Sequence, residues 1–463
     1  MFDKQTYLNR REKLRKKLES GIVLMPGNVD VPMNYPKNPY HFRQDSSFLY
    51  FFGLDQQGLA GVMDIDNGGD YLFGDDVTLD DIIWMGPQPL LKDKAAKVGV
   101  ENTAPFSALE EVVEEAKKKG RKIHFLPPYR AENKLLLEEL TGIKPSEQGQ
   151  KTSVELIKAV VELRSVKEDQ EIAEIEKAME VAYLMHTTAM KMAKPGVYER
   201  DIAGVVEGIA ISKGGMLSFP LILTINGETL HNHYHGNKLE EGRLLLIDGG
   251  AENQMHYATD HTRTYPVGGK FSPIQKEIYE IVLDAQIKAI QAIKPEVPFR
   301  DIHMLAAQTI TEGLQKVGLM KGDAKAAVEQ GAHALFMPHG LGHMMGLDVH
   351  DMEDLGEDFV GYDEEIQRAK NFGTAFLRLG RRLKPGFVLT VEPGIYFIPA
   401  LIEKWENEGK FTEFINYSKV KEYTGFGGIR IEDEVLVTKN GYRVLGKPIP
   451  KTVEDIEALM NGA

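Results

Sequence analysis

The sequence predicts a two-domain α/β protein whose second domain is a duplicated unit of two helices followed by strands. Three observations favour this. The chain has 463 residues, enough for two or three domains. Its first part mixes short apolar runs with turn signals, and its later part contains two segments that recur in the same order. We therefore expect an α/β domain over residues 1–158 and a second domain over residues 159–463.

The N-terminal part carries short apolar runs bounded by turn residues, a pattern typical of strands. A longer stretch with helical periodicity lies among them. The sequence predicts one helix at residues 108–119 and strands at residues 22–25, 48–52, 61–63 and 123–126. This mixture is the basis for the separate α/β domain.

Two long helices are predicted in the second domain. Apolar residues recur at spacings of three and four over residues 172–192, and Pro195 follows them. Ser165 and Glu168 have the spacing of a capping box, so we expect this helix to begin at Ser165. A second helix with the same periodicity is expected to begin at Ser272.

An internal duplication follows these helices. Residues 194–202 and 294–302 are identical at six of nine positions, and residues 242–250 resemble residues 386–394. The latter two segments are apolar strands that each end in a carboxylate and a glycine turn. Two related halves facing each other would bring both strand ends to a shared centre.

Composition excludes several classes of function. The net charge is −14, which argues against a nucleic-acid partner because the surface would repel phosphates. The absence of cysteine excludes disulfides, thiolate metal sites and cysteine nucleophiles. The sequence has neither an apolar stretch long enough to span a membrane nor an apolar segment typical of a secretory signal, so we expect a cytoplasmic location.

Four carboxylates are expected to converge at the shared centre. Asp248 and Glu392 end the two apolar strands, Asp260 follows one hairpin later, and Glu432 lies in a strand-like run over residues 429–437. Nine of the 13 histidines lie nearby in the chain. Each such residue alone is more often a turn or surface group, but their coincidence in both halves favours a dinuclear site that performs metal-assisted hydrolysis.

Other polar residues in these segments are expected to have structural or solvent-exposed positions. Asp433 and Glu434 are interpreted as solvated charges at a strand edge. His186 and His303 are interpreted as ordinary structural histidines.

The motifs resemble those of a known family. They comprise Met337 to Asp351 (MPHGLGHMMGLDVHD), Thr390 to Gly394 (TVEPG), Gly428 to Asp433 (GIRIED), the two aspartates Asp248 and Asp260, and Tyr40 to Gly53 (YHFRQDSSFLYFFG). Together they resemble the proline-specific branch of the pita-bread metallopeptidases, which contains Xaa-Pro aminopeptidase (aminopeptidase P) and Xaa-Pro dipeptidase (prolidase). The resemblance implies an aminopeptidase P-like N-terminal α/β domain followed by a pita-bread catalytic domain.

The resemblance also implies the site residues. The metal ligands would be Asp248, Asp260, His343, Glu392 and Glu432, with Asp260 and Glu432 bridging two divalent ions that we expect to be Mn²⁺. A hydroxide between the ions would attack the peptide carbonyl, and Glu392 would assist the proton transfer.

Further side chains would act around these ligands. The resemblance implies that His339 and His350 contact the substrate and stabilise the tetrahedral intermediate, and that Arg430 supports the ligands through its charge. His231 best fits a further active-site histidine of the family, with His233 and His235 as open alternatives.

The leading functional expectation is a cytoplasmic Xaa-Pro aminopeptidase acting on peptides with proline at position two. Xaa-Pro dipeptidase is the alternative, because residues 400–423 resemble an insert of bacterial enzymes of that type. A catalytically inactive peptide-binding module is the alternative from a different class, but such modules typically lack the ligand carboxylates. We expect a homo-oligomer, with neither nucleic-acid nor membrane partners.

Overall fold

The computed structural model describes residues 1–462, which divide into two compact units. The first comprises Met1–Arg164 with Glu353–Phe359, and the second comprises Ser165–Met352 with the remaining residues after Phe359. The sequence-predicted boundary between residues 158 and 159 falls within a helix and stays a prediction. Among the described residues, no helix has the length and apolar character needed to cross a membrane.

The first unit contains a five-stranded mixed sheet. In chain order its elements are α1 Lys4–Arg15, β1 Ile22–Pro26, α2 Ser46–Phe52, β2 Ala60–Asp64, β3 Asp70–Phe73, α3 Leu79–Met85, α4 Leu91–Lys97, β4 Asn102–Ala104, α5 Ala108–Lys118, β5 Ile123–His124, α6 Ala131–Thr141, α7 Pro145–Lys151 and α8 Val154–Ser165. The strand order is β4-β3-β2-β1-β5, with parallel pairing only at β3–β4 and β1–β5 among the described strands. Apolar side chains from β1, β2, α5 and α6 form its core.

One predicted strand of this unit is wrong. Residues 48–52 lie in helix α2, whose residues are all buried. Asp45 accepts a hydrogen bond from the Phe48 backbone N–H, and Gly53 ends the helix with a φ of 64°. An apolar run buried on every side has no periodicity, so only these caps distinguish the helix from a strand. The strands at residues 22–25 and 61–63 and the helix at residues 108–119 are confirmed.

The second unit contains the duplicated arrangement. Its elements are α9 Asp169–Met192, α10 Glu199–Ser212, β6 Ile222–Thr224, β7 Leu244–Asp248, β8 Thr262–Pro266, α11 Pro273–Ala292, α12 Phe299–Lys316, α13 Ala324–Gln330, the last two residues of α14 Glu357–Gly361, β9 Val388–Val391, β10 Gly394–Tyr396, α15 Pro399–Asn407, α16 Tyr417–Val420, β11 Gly428–Arg430, β12 Asp433–Thr438, β13 Gly441–Val444 and α17 Val453–Met460. Short 3₁₀ turns of this unit occupy Ala332–Leu335, Thr374–Phe376 and Lys421–Tyr423, and one at Glu353–Leu355 belongs to the first unit.

The two helix starts differ in outcome. The predicted start at Ser272 is confirmed, since Ser272 caps α11 and forms a capping box with Gln275. The predicted start at Ser165 is wrong, because Ser165 is the last residue of α8 and Glu168 is the N-cap of α9. Glu168 forms its own capping box with Glu171. Ser165 and Glu168 have the same three-residue spacing as the true capping pair, Glu168 and Glu171, so the sequence placed the helix start three residues too early.

In each half, one antiparallel sheet follows a pair of helices in the chain. The first sheet has the order β6-β7-β8 and the second β13-β12-β9, while β10 pairs with β11. The backbone N–H of Glu432 donates to the Thr262 carbonyl at 3.0 Å, which joins the end of β11 to the start of β8. The duplication therefore brings the carboxylate-bearing ends of both sheets together.

Candidate metal centre

The backbone places each of the four predicted carboxylate ligands at or next to the end of a strand. Asp248 is the last residue of β7, and Asp260 lies two residues before β8. Glu392 follows β9, and Glu432 lies in the break between β11 and β12. His343 is held against β9, since its backbone N–H donates to the Thr390 hydroxyl at 3.2 Å.

These five side chains meet in one cluster. Ligand atoms of Asp248, Asp260 and Glu432 lie within 4.8 Å of one another, as do those of His343, Glu392 and Glu432. The Nε2 atom of His343 is 3.3 Å from the Asp260 Oδ2 atom and 3.8 Å from the Glu392 Oε1 atom. Glu432 belongs to both groups, as expected of a residue between two ions.

The residues fit divalent cations. The Asp248 Oδ1, Asp260 Oδ1 and Glu432 Oε1 atoms are buried, and none has a hydrogen-bond donor among the described residues. A buried acceptor without a partner is costly, whereas a cation satisfies several such oxygens at once. Oxygen-rich sites with one imidazole suit Mn²⁺ and similar ions.

Electrostatics supports the same interpretation. In the absence of cations, burial and the neighbouring Asp248 and Glu392 hold the pKa of Asp260 well above its usual value. Burial, Asp260 and Glu392 do the same to the pKa of Glu432. Carboxylates crowded in this way resist ionisation unless positive charge is supplied.

Arg430 supplies part of that positive charge. Its guanidinium donates to the Asp248 Oδ2 atom at 2.5 Å and to the Thr262 hydroxyl at 3.1 Å. The Thr262 hydroxyl in turn donates to Glu432 at 2.7 Å. Burial lowers the pKa of Arg430, but Tyr396 and the carboxylates, among them Asp248, raise it overall, so the side chain stays charged. Arg430 therefore orients two of the predicted ligands.

Tyr396 connects Arg430 with His339. The Arg430 Nη1 atom donates to the Tyr396 oxygen at 2.8 Å, and the Tyr396 oxygen is 3.0 Å from the His339 Nε2 atom. The hydroxyl hydrogen is therefore directed at Nε2, and Nδ1 carries the ring hydrogen that is donated to the Gly340 carbonyl at 2.7 Å. Burial and Arg430 lower the pKa of His339 to about 4, so the ring is neutral near pH 7.

The predicted substrate-contacting histidines border the same cavity, which has a volume of about 660 Å³. The ring centroids of His350 and His343 are 4.0 Å apart. Burial and the nearby His343 lower the pKa of His350 to about 2. His231 and His233 both line the cavity. His235 is not among the lining residues, and its Nδ1 atom is 3.1 Å from the Leu223 carbonyl.

Two expectations about polar residues near the site are wrong. Asp433 and Glu434 are buried rather than solvated. Asp433 pairs with Arg263 at 2.6 Å and with Lys451 at 2.6 Å, and the Glu434 carboxylate accepts a hydrogen bond from the Asp260 backbone N–H. Strand β12 lies between β13 and β9, so neither residue occupies a sheet edge.

The sequence interpretation missed three residues of the site. Tyr396 and Thr262 bond to Arg430, and Arg378 lines the cavity. Tyr396 follows the TVEPG motif, which contains the predicted ligand Glu392, so its position in the chain indicated that it lies near the site. Neither Thr262 nor Arg378 has a comparable signal, because each belongs to the site only through contacts that the folded chain creates.

The geometry agrees with the comparison to known families. Residues 173–439 match the sequence model described as Metallopeptidase family M24, and residues 7–124 match the one described as Aminopeptidase P, N-terminal domain. The chain belongs to metallopeptidase family M24. It is a hydrolase, and the predicted fold class, an α/β N-terminal domain followed by a pita-bread domain, is confirmed.

Relatives match along nearly the whole chain. Human Xaa-Pro dipeptidase is 33% identical over 98% of this chain and 93% of that protein. A probable Xaa-Pro aminopeptidase of Fusarium vanettenii is 31% identical over 97% of this chain and 94% of that protein. Among solved structures, zinc-substituted E. coli aminopeptidase P in complex with product covers 100% and 99% of the two chains at 28% identity, with a TM-score of 0.81. Proline aminopeptidase P II from Yersinia pestis has a TM-score of 0.82 at 28% identity and full coverage of both chains.

Proposed function

We propose that this M24 metallopeptidase releases the first residue of peptides whose second residue is proline. The observation that carries the proposal is the cluster of four carboxylates and one imidazole, buried except for the partly exposed Glu392, which borders a cavity large enough for a short peptide. The relatives named Xaa-Pro dipeptidase and Xaa-Pro aminopeptidase support the class of bond.

We propose that the cluster holds two divalent ions, with Mn²⁺ as the expected metal. Asp260 and Glu432 would bridge the ions, while Asp248, His343 and Glu392 complete the ligands. When bound, such ions polarise the scissile carbonyl and lower the pKa of a water molecule.

The protein side chains then handle the proton and the developing charge. Glu392 accepts a proton from the attacking water and delivers it to the departing proline nitrogen. Burial raises the pKa of Glu392, which favours its holding that proton during turnover. His350 is neutral near pH 7 and provides a ring N–H for the oxyanion. His339 contacts the substrate and, through Tyr396, holds Arg430 in place.

Proline at position two is selected by its chemistry. A proline residue has no backbone N–H and a fixed φ. The Xaa-Pro peptide bond therefore lacks the N–H donor of an ordinary peptide bond, and the chain that follows it is less flexible. The residues that line the cavity include five apolar ones, Phe219, Pro220, Ile222, Phe372 and Phe376. Such side chains suit the pyrrolidine ring.

The leading proposal for substrate length is Xaa-Pro aminopeptidase, which cleaves tripeptides and longer chains. One observation favours Xaa-Pro dipeptidase as the second candidate. Arg378 lines the cavity, and its charge is among the causes that lower the pKa of His350 and of His231. A guanidinium at this place can pair with the carboxylate that directly follows proline in a dipeptide.

Matched peptides with added Mn²⁺ test both proposals. Ala-Pro-Ala should be hydrolysed with a kcat/KM at least about 100-fold above that of Ala-Ala-Ala, the size expected when a site is built around one residue type. Equal cleavage of the two would contradict proline selectivity. A higher kcat/KM for Ala-Pro than for Ala-Pro-Ala would transfer the assignment to dipeptidase.

Arg378 provides a sharper test of substrate length. If it binds a terminal carboxylate, Arg378→Ala should raise the KM for Ala-Pro by about 10-fold or more, the effect of losing one charge-assisted hydrogen-bond pair. The KM for a blocked Ala-Pro amide should then change little. Arg382→Ala is the matched control, because Arg382 pairs with the exposed Glu365 and is not among the residues that line the cavity.

Two further proposals concern the location and the assembly of the protein. We propose a cytoplasmic location and a homo-oligomer, which cell fractionation and light scattering test directly. The alternative from a different class, an inactive peptide-binding module, is disfavoured by the relatives, which are named as peptidases. It would bind Xaa-Pro peptides in the presence of Mn²⁺ without releasing the first residue.

A further inference from the structure

The loop between His343 and His350 is closed on itself. The backbone N–H of Asp351 donates to the Met344 carbonyl at 2.9 Å, and that of Gly346 donates to the Asp348 carbonyl at 3.0 Å. The closing bond therefore joins the two residues that directly follow the histidines. This closure brings the chain that follows His350 back to the chain that follows His343.

A buried ion pair lies against the loop. The Lys167 Nζ atom is 2.7 Å from the Asp351 Oδ2 atom, and each side chain is 1% exposed. Lys167 is 184 positions away from Asp351 in the chain, and its backbone N–H donates to the Gly386 carbonyl at 2.8 Å, just before β9. Strand β9 leads directly to Glu392, so the pair connects the loop with the strand that carries a predicted ligand.

The loop backbone packs directly on the pair. A Cβ atom built at Gly346 would lie 2.7 Å from the Asp351 Oδ2 atom and 2.8 Å from the Lys167 Cε atom. The other carboxylate oxygen of Asp351 accepts from the Asp348 backbone N–H at 3.3 Å. The carboxylate thus holds the loop through one oxygen and Lys167 through the other.

Stability alone is a weak reason for such a pair. Removing two charges from water costs about as much as their attraction returns, and replacing a buried pair by neutral residues of similar shape is often neutral or stabilising. The best-supported use of a buried charge pair is to fix one arrangement among several of similar energy.

We propose that Lys167 and Asp351 are positioning residues that hold His350 against His343 for catalysis. The proposal rests on the proposed function, in which His350 stabilises the oxyanion. Lys167 and Asp351 act through the closed loop and not by contact with the substrate. Loss of the pair should displace the His350 ring while the carboxylate ligands keep their places.

The double variant Lys167→Met/Asp351→Asn removes both charges and keeps the side-chain shapes and the acceptor for Asp348. We expect unfolding stability and bound Mn²⁺ close to those of the parent, but a kcat lower by about 10-fold or more with little change in KM. The control is Asp284→Asn/Lys288→Met, which removes a half-exposed pair with the same 2.7 Å separation on α11 and should leave kcat unchanged. Unchanged kcat in the buried-pair variant would overturn the proposal.

Coupling to His350 separates positioning from a general structural effect. His350→Ala should lower kcat by about 100-fold in the parent but by less than about 10-fold in the double variant, because residues that act as one unit are not additive. An equal loss in both backgrounds would show that the pair does not act through His350.

A structural readout keeps this test independent of the reaction. In a crystal structure of the double variant, the separation of the His343 and His350 ring centroids should exceed the 4.0 Å of the parent by about 1 Å or more, a shift that is large in catalytic terms. If the parent hydrolyses neither Ala-Pro nor Ala-Pro-Ala, the proposed function fails and this readout still decides the positioning role. An unmoved ring would overturn it.

Discussion

Replacing Asp260 by asparagine should change stability in opposite directions with and without metal. Two ionised carboxylates at the 4.8 Å limit of the Asp248, Asp260 and Glu432 group repel each other by about 3.5 kcal/mol at an effective dielectric constant of about 20. Part of this repulsion is relieved by protonation, since the pKa of Asp260 is raised. Asp260→Asn removes both the repulsion and the cost of burying the acid, so the metal-free variant should be about 1–2 kcal/mol more stable than the metal-free parent at pH 7.

The same variant should lose most of its response to Mn²⁺. A bridging ligand contributes its charge to both ions, and we expect its loss to weaken binding by at least about 100-fold, or about 3 kcal/mol of Mn²⁺-dependent stabilisation. Urea unfolding followed by tryptophan fluorescence, with EDTA or with Mn²⁺, measures both effects. Asp284→Asn, which alters an exposed carboxylate on α11, is the control and should leave both values unchanged. A metal-free variant that is less stable than the parent, combined with an unchanged response to Mn²⁺, would refute the bridging role.

The remaining predictions concern histidines near the cavity and in the core. His339→Ala and His350→Ala should each keep the bound metal and lower turnover by about 100-fold; metal loss in His339→Ala, with retention in His343→Ala, would mean that their roles are exchanged. Burial and the nearby His333 lower the pKa of the fully buried His303 to about 3. The unfolded chain takes up its proton near pH 6.5, so acidification below that value should reduce the free energy of unfolding by up to about 1.4 kcal/mol per pH unit. In His303→Leu, one proton fewer is taken up on unfolding, so the free energy of unfolding should fall less steeply between pH 7, 6 and 5 when measured with urea. An unchanged pH dependence would contradict the burial of His303.

The metal cluster was predictable because its ligands have a strong local signal. Asp248 and Glu392 each follow an apolar strand and precede a glycine turn, and the duplication indicates that the two ends meet. The structure brings the five predicted ligands together. Their identity as ligands is still a prediction, which the Mn²⁺ experiments address.

Residues whose environment is assembled from distant parts of the chain were harder to predict. Asp433 resembles a strand-edge charge, but Arg263 reaches it from a position 170 residues away. Burial raises the pKa of Asp433, but Arg263 and Lys451 lower it overall. The ion pair of Lys167 with Asp351 spans 184 positions. Alternation along a strand reports which face a side chain occupies but not what packs on that face.

A helix buried on all sides caused one of the other errors. Helix α2 has no polar face, so its apolar run was interpreted as a strand although Asp45 and Gly53 carried helix-cap signals. Helix α11 has a polar face and a capping box at Ser272, and its start was predicted correctly. Caps are therefore more informative than periodicity when a helix is fully buried.

The number of metal ions bound per chain tests the central claim most directly. Metal-free protein saturated with Mn²⁺, freed of excess by gel filtration and measured by elemental analysis, should contain two ions per chain, because Glu432 belongs to both groups of predicted ligands. The Asp260→Asn variant treated in parallel should contain fewer. A parent protein with one ion or none per chain, while folded and soluble at saturating Mn²⁺, would contradict a dinuclear centre.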